Sequence, residues 1–167
     1  MKQILLGLLA SLVFIGCNSK EVDPKDLVAK LVINQSVESF NLKDQHDKAH
    51  PIKEDTKTLI FAFSKEMGHT CNDFFATKSD TYLEDNNAIF IADVSAAPSV
   101  IRSMFIMPGL KDFKHTVLVI DDENIATGYR AGQDSEKIIL VSVNDHIITD
   151  IKAISSVEEL GQGIETK

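Results

Sequence analysis

The stretch Thr58–Phe75, TLIFAFSKEMGHTCNDFF, constrains the fold more than any other part of the chain. Thr58–Phe63 is an unbroken apolar run with a β-branched start and polar flanks, the pattern of a strand buried on both faces. Beyond Ser64, Lys65 and Glu66 comes Gly68, which permits a tight turn, and then Thr70, a good N-cap. The spacing therefore predicts a helix that starts at Cys71, just past the C-terminal end of a central strand. In that position the helix dipole and the free N–H groups of the first turn favour a thiolate and lower the cysteine's pKa.

Around this unit the chain alternates between strand and helix patterns. Phe40-Asn41-Leu42, the polar turn Asp44–Lys48 and Ala49–Ile52 read as a hairpin. Phe74, Phe75, Tyr82 and Leu83 extend the Cys71 helix to about Glu84. Ala88–Val94 is a second buried strand, and Asp93 closes it. A helical stretch Ser99–Phe105 follows Pro98 and is stopped by Pro108 and Gly109. Thr116–Ile120 is a third buried strand, Asp121–Asn124 a turn, and Ile125–Tyr129 a returning antiparallel strand. Lys137–Val143 and Ile147–Ile154 pair around Asn144-Asp145, and Ser156 caps a last helix with Glu158 and Glu159 in its acidic first turn. His46, His50 and His146 fall in turns or hairpins and read as solvated.

The N-terminus carries a different signal. Met1-Lys2 is basic, and Ile4–Ile15 is apolar but short for a membrane span. Gly16-Cys17 and polar residues follow at once, which is the layout of an export signal. Phe14-Ile15-Gly16-Cys17 resembles a bacterial lipobox, in which the cysteine is lipidated and becomes the new N-terminus. An ordinary signal peptide with a chance cysteine and an uncleaved anchor are the other readings of these residues. The division expected is residues 1–16 as lipoprotein signal peptide, 17–36 as lipidated N-terminus and tether, and 37–167 as one folded domain. Its location is then the bacterial cell envelope, lipid-anchored and periplasm-facing, with membrane lipid as the partner of Cys17. The formal charge of −8, one unit more negative without Lys2, argues against nucleic acid as a partner. Export places the chain where disulfides form, yet its two cysteines are Cys17 and Cys71, so lipidation leaves Cys71 without an intramolecular partner.

The strand–loop–Cys71–helix unit resembles the thioredoxin superfamily, and F-x-L-x-D-Q-x-x-K at Phe40–Lys48 resembles the N-terminal hairpin of exported peroxiredoxin-like and thioredoxin-like proteins. The resemblance implies an α/β fold: a thioredoxin-like mixed β-sheet flanked by helices, with an N-terminal β-hairpin. It also implies that Gly68 stands where the family's first, nucleophilic cysteine would be, and Cys71 where its second would be. Met67 replaces the usual aromatic residue before the motif. The family's cis-proline before the next strand maps near Thr116, preceded by His115, so that position lacks its proline.

Three functions stay open on these residues. Cys71 with His69 and Thr70 forms a one-cysteine thiol-redox centre that works through a mixed disulfide or sulfenic acid and needs an external thiol. In the second, the scaffold is a non-enzymatic binding module for a protein partner or for a soft metal such as Cu(I). Met67, His69, Cys71 and His115 would then be the ligands, with Met104 and Met107 nearby. In the third, Cys71 is a packed core residue. Asp93, at a strand end, is a candidate proton relay to Cys71, and Arg102 a candidate partner for such acids. No cofactor fingerprint, phosphate loop or Ser–His–Asp set is present.

Overall fold

The computed structural model describes residues 28–165; Cys17, the expected signal peptide and most of the expected tether lie outside them. Seven strands form one mixed sheet: β1 (Asn41–Asp44), β2 (Ala49–Pro51), β3 (Thr58–Ala62), β4 (Ala88–Asp93), β5 (Val117–Ile120), β6 (Ile138–Asn144) and β7 (Ile147–Ile154), in the order β2-β1-β5-β4-β3-β6-β7. β3, β4 and β5 run parallel. β6 pairs antiparallel with β3, β7 with β6, and the β1–β2 hairpin adds antiparallel to β5. Parallel neighbours require crossovers, and the helices supply them.

The period of two along β3 sorts the core into two layers. Leu59, Phe61 and Phe63 face one layer with Ile91, Leu118, Ile120, Ile139 and Val141. α5 (Glu123–Arg130) supplies Ala126 and Tyr129 to that layer, and Leu31, Val37 and Phe40 complete it. Ile60 and Ala62 face the other layer, with Phe90, Val117, Ile138 and Leu140. It is covered by α1 (Lys65–Ala76), α2 (Tyr82–Asp85) and α6 (Val157–Glu165). The central strand is buried along its whole length, as its continuous apolar run implies.

Several boundaries differ from expectation, each for a local reason. α1 starts at Lys65 rather than Cys71: Ser64, in extended conformation, accepts the Met67 N–H on its hydroxyl at 3.3 Å and is the N-cap. Gly68 and Thr70 are helical, and Gly68 has φ in the normal range with open space where a Cβ would stand. Ile125–Tyr129 is not a strand but most of α5. Asp122 caps it by accepting the Asn124 N–H at 2.8 Å, and its last-turn Arg130 favours the helix C-terminus. The Ser99 helix does not stop at Pro108. α3 (Ser99–Ile101) runs into a π-turn, Arg102–Ile106, and on into α4 (Met107–Lys111). Widening the turn just before Pro108 accommodates a residue that lacks an N–H and crowds the preceding turn. Residues 30–36, expected in the tether, lie on the domain: Leu31 is buried, Lys30 N–H bonds Gly128 O at 2.9 Å, and Asn34 N–H bonds Ile148 O at 2.8 Å.

Two substitutions test this architecture. Phe61 is fully buried and its ring lies 5.6 Å from those of both Phe63 and Tyr129. Phe61→Ala should cost about 3–5 kcal/mol in urea unfolding, and a cost under about 1 kcal/mol would mean that β3 is not central. Gly68→Ala should raise stability by about 0.5–1 kcal/mol, because alanine restricts the unfolded chain and fits an open helical site. A loss of stability there would place Gly68 in a turn after all.

Candidate functional site around Cys71

The early start of α1 decides the environment of Cys71. The N–H groups left without an intrahelical partner at the start of α1 are those of Ser64–Met67, since the Gly68 N–H already bonds Ser64 O at 2.9 Å. Cys71 is the seventh residue, beyond that turn and on the face turned to the sheet. It is fully buried, in the apolar cluster that includes Ile60, Ala62, Phe75, Phe90 and Leu160. Burial pushes its thiol up to about 12. The thiolate expected from a helix-start cysteine is therefore replaced by a protonated, packed thiol.

The residues expected to gather around it point elsewhere. His69 is exposed. Positions two apart on a helix face directions about 200° apart, so His69 and Cys71 lie on opposite sides of α1. Thr70 is half-buried and caps nothing, since Ser64 has that role. Met67 packs against the same apolar cluster as Cys71. His115 does reach α1, but through Asn72: its Nε2 lies 2.9 Å from Asn72 Oδ1, both residues being buried. Its ring packs between Phe113, at 5.1 Å, and Phe75, at 5.3 Å. Burial lowers its pKa, so the imidazole is neutral at neutral pH. The proposed soft-metal set Met67, His69, Cys71 and His115 thus does not converge. Among the described residues no group of three or more His, Cys, Asp or Glu side chains is placed to hold a metal ion.

Among the described residues there is no cis peptide bond, so Thr116, where the resemblance places the family's cis-proline, follows His115 in the ordinary trans form. β5, which follows Thr116, is a parallel strand beside β4; the strand that pairs antiparallel with the cysteine strand β3 is β6.

The polar cluster that sequence patterns missed lies at the C-terminal ends of β4 and β5. Asp93 Oδ1 accepts the Ser95 N–H at 2.9 Å and lies 2.7 Å from Ser95 Oγ. Arg130 Nε stands 2.9 Å from Asp93 Oδ2, an ion pair without a well-aligned hydrogen bond. Arg130 Nη2 donates to Glu123 Oε2 at 2.8 Å and to Ser95 Oγ at 2.9 Å. Burial pushes the Glu123 carboxyl up, but the bonds from Arg130 and Ser95 outweigh it and hold the group below its usual range. Asp93 is thus engaged by Ser95 and Arg130 rather than relaying protons to Cys71. Among the described residues Arg102 pairs with no acid; it donates to the Ser95 and Ala97 carbonyls at 3.2 and 2.9 Å. The cluster joins β4 to α5 and fixes the loop from which α3 starts. The signal that could have found it was Asp122 as an N-cap, eight residues before Arg130.

No protein-family model matches the chain, and no curated protein matches it by sequence. Among solved structures it is similar to peroxidoxin BcpB from Mycobacterium tuberculosis, at 13% identity over 80% of this chain and 94% of that one, TM-score 0.49. It is also similar to reduced Prx3 from Vibrio vulnificus, at 11% identity over 81% and 99%, TM-score 0.49. A thioredoxin candidate from Neisseria meningitidis is similar at 17% identity over 80% and 87%, TM-score 0.45. Each likeness is one of fold alone. The chain has a thioredoxin-like α/β fold, a mixed seven-stranded sheet between helices that opens with a β-hairpin.

Proposed function

We propose that the protein is a lipid-anchored thioredoxin-like domain of the bacterial cell envelope that works as a non-enzymatic binding module for a protein partner, with Cys71 serving as part of its core. The observation that carries this reading is the complete burial of Cys71 in the second turn of α1, with its thiol pushed up to about 12. A protonated, enclosed thiol is a poor nucleophile. Neither His69 nor His115 stands with it as a base. Anchoring at Cys17 is supported by the Phe14–Cys17 pattern after a short apolar segment.

A one-cysteine thiol-redox centre is the competing reading. It draws on the place of Cys71 on the helix that leaves the central strand, and it requires the first two turns of α1 to open before an external thiol or an oxidant could reach the sulfur. Alkylation separates the two. With iodoacetamide at neutral pH, Cys71 of the folded protein should stay unmodified and should react fully once denaturant is added, as read by peptide mass. Rapid labelling of Cys71 in the folded protein would overturn the binding-module reading in favour of redox chemistry.

A further inference from the structure

The helical segment from Ser99 to Lys111 is apolar on both sides. Its inner side, with Ile106, Met107 and Leu110, packs on the core layer that contains Cys71. Its outer side presents Val100, Ile101, Met104 and Phe105, which are 61%, 44%, 63% and 65% exposed. A helix apolar all round is ordinarily buried all round, so this outer stripe calls for a cover. Charge narrows what that cover is. The eighteen residues from Val94 to Lys111 contain no acidic side chain, in a chain that has 25, and they carry Arg102 and Lys111. Elsewhere the acidic protein is repelled by an anionic surface; here it is not.

The chain outside the described residues narrows it further. Cys17 and Val28 are eleven residues apart, so however those residues are arranged they span at most about 40 Å. Val28 leaves the domain beside α5: its carbonyl oxygen would lie 3.1 Å from a Cβ at Gly128, and Lys30 bonds the Gly128 carbonyl. Two residues further on, Arg130 holds Ser95, and Arg102 holds the Ser95 and Ala97 carbonyls. The tether thus enters against α5, and α5 in turn holds, through Arg130, the 93–97 loop from which the apolar helix begins. A lipid at Cys17 would keep that end of the domain at high effective concentration over the bilayer.

We infer that the Val100, Ile101, Met104 and Phe105 face docks on the phospholipid surface, as an interfacial helix that fixes how the tethered domain stands on the membrane. This rests on the proposed lipid anchoring at Cys17. The apolar side chains enter the headgroup–acyl boundary, while the exposed Lys111 meets anionic headgroups. The docked helix turns the rest of the domain outward, toward its partner.

The chain has no tryptophan, so a single one is a clean probe. Full-length, processed Phe105→Trp protein is bound to vesicles of phosphatidylethanolamine and phosphatidylglycerol, with and without brominated acyl chains. Lys152→Trp, on an exposed position of the edge strand β7, is the comparison. Docking gives blue-shifted emission and strong bromine quenching for Trp at 105 and solvent-like, unquenched emission at 152. Solvent-like emission at 105 in protein that sediments with the vesicles would overturn docking while leaving the anchor intact. Equal quenching at both positions would overturn it as well. A blue shift at 105 that grows with protein concentration without vesicles would assign the face to a second copy instead. The mass of the mature protein reads acylation separately; an unmodified Cys17 would remove the anchor and the docking argument with it.

Discussion

The hydrogen bond from the Met67 N–H to the Ser64 hydroxyl sets where α1 begins, and the character of Cys71 follows from that start. An N-cap of this type contributes about 1 kcal/mol. Its larger effect is one of register. With Ser64 as the cap, the N–H groups still free and the positive end of the helix dipole lie at Lys65 and Glu66, more than one turn before the cysteine. Cys71 then falls on the stripe that also carries Met67 and Phe75, and the stripe faces the sheet. Had the helix begun at Cys71, the same side chain would sit among unpaired donors at the rim of the sheet, where thiolates form.

This placement ties the thiol to stability. The folded-state pKa of Cys71 is raised to about 12, above the roughly 8.5 of a free cysteine. For an acid whose folded pKa is raised, the protonated form is the one the fold favours. Its contribution is complete below the unfolded value and declines as pH rises between the two values, because only the unfolded chain ionises there. Cys71 thus acts on the fold as a small apolar residue does at neutral pH, and as a liability only in alkali.

The sheet was legible in the sequence where apolar runs left one solution. Thr58–Phe63, Ala88–Val94 and Thr116–Ile120 are continuous and became β3, β4 and β5; the alternating hairpin at Phe40–Ile52 became β1 and β2. What misled the reading was local chemistry with two outcomes. Gly68-His69-Thr70 has the residue types of a turn and a cap, but Ser64 competes for the same role earlier and wins. Ile125–Tyr129 has β-forming residues, but Asp122 and Arg130 fit the two ends of a helix and Tyr129 can be buried from one. Pro108 and Gly109 break most helices, and here a π-turn absorbs the break. The site was less legible than the fold because it depends on helix phase. Moving the start of α1 by six residues turns His69 outward and Cys71 inward. The Asp93–Ser95–Glu123–Arg130 cluster needed α5 to be seen as a helix before its members could meet.

Inside the folded domain the Cys71 thiol stays protonated. A titration of the Cys71 Cβ resonance by NMR, on folded protein between pH 6 and pH 10, reads that state at the atom concerned. The shift should stay constant across the range, because burial pushes the thiol up to about 12. An inflection near or below pH 8 would reveal a stabilised thiolate and contradict the protonated state.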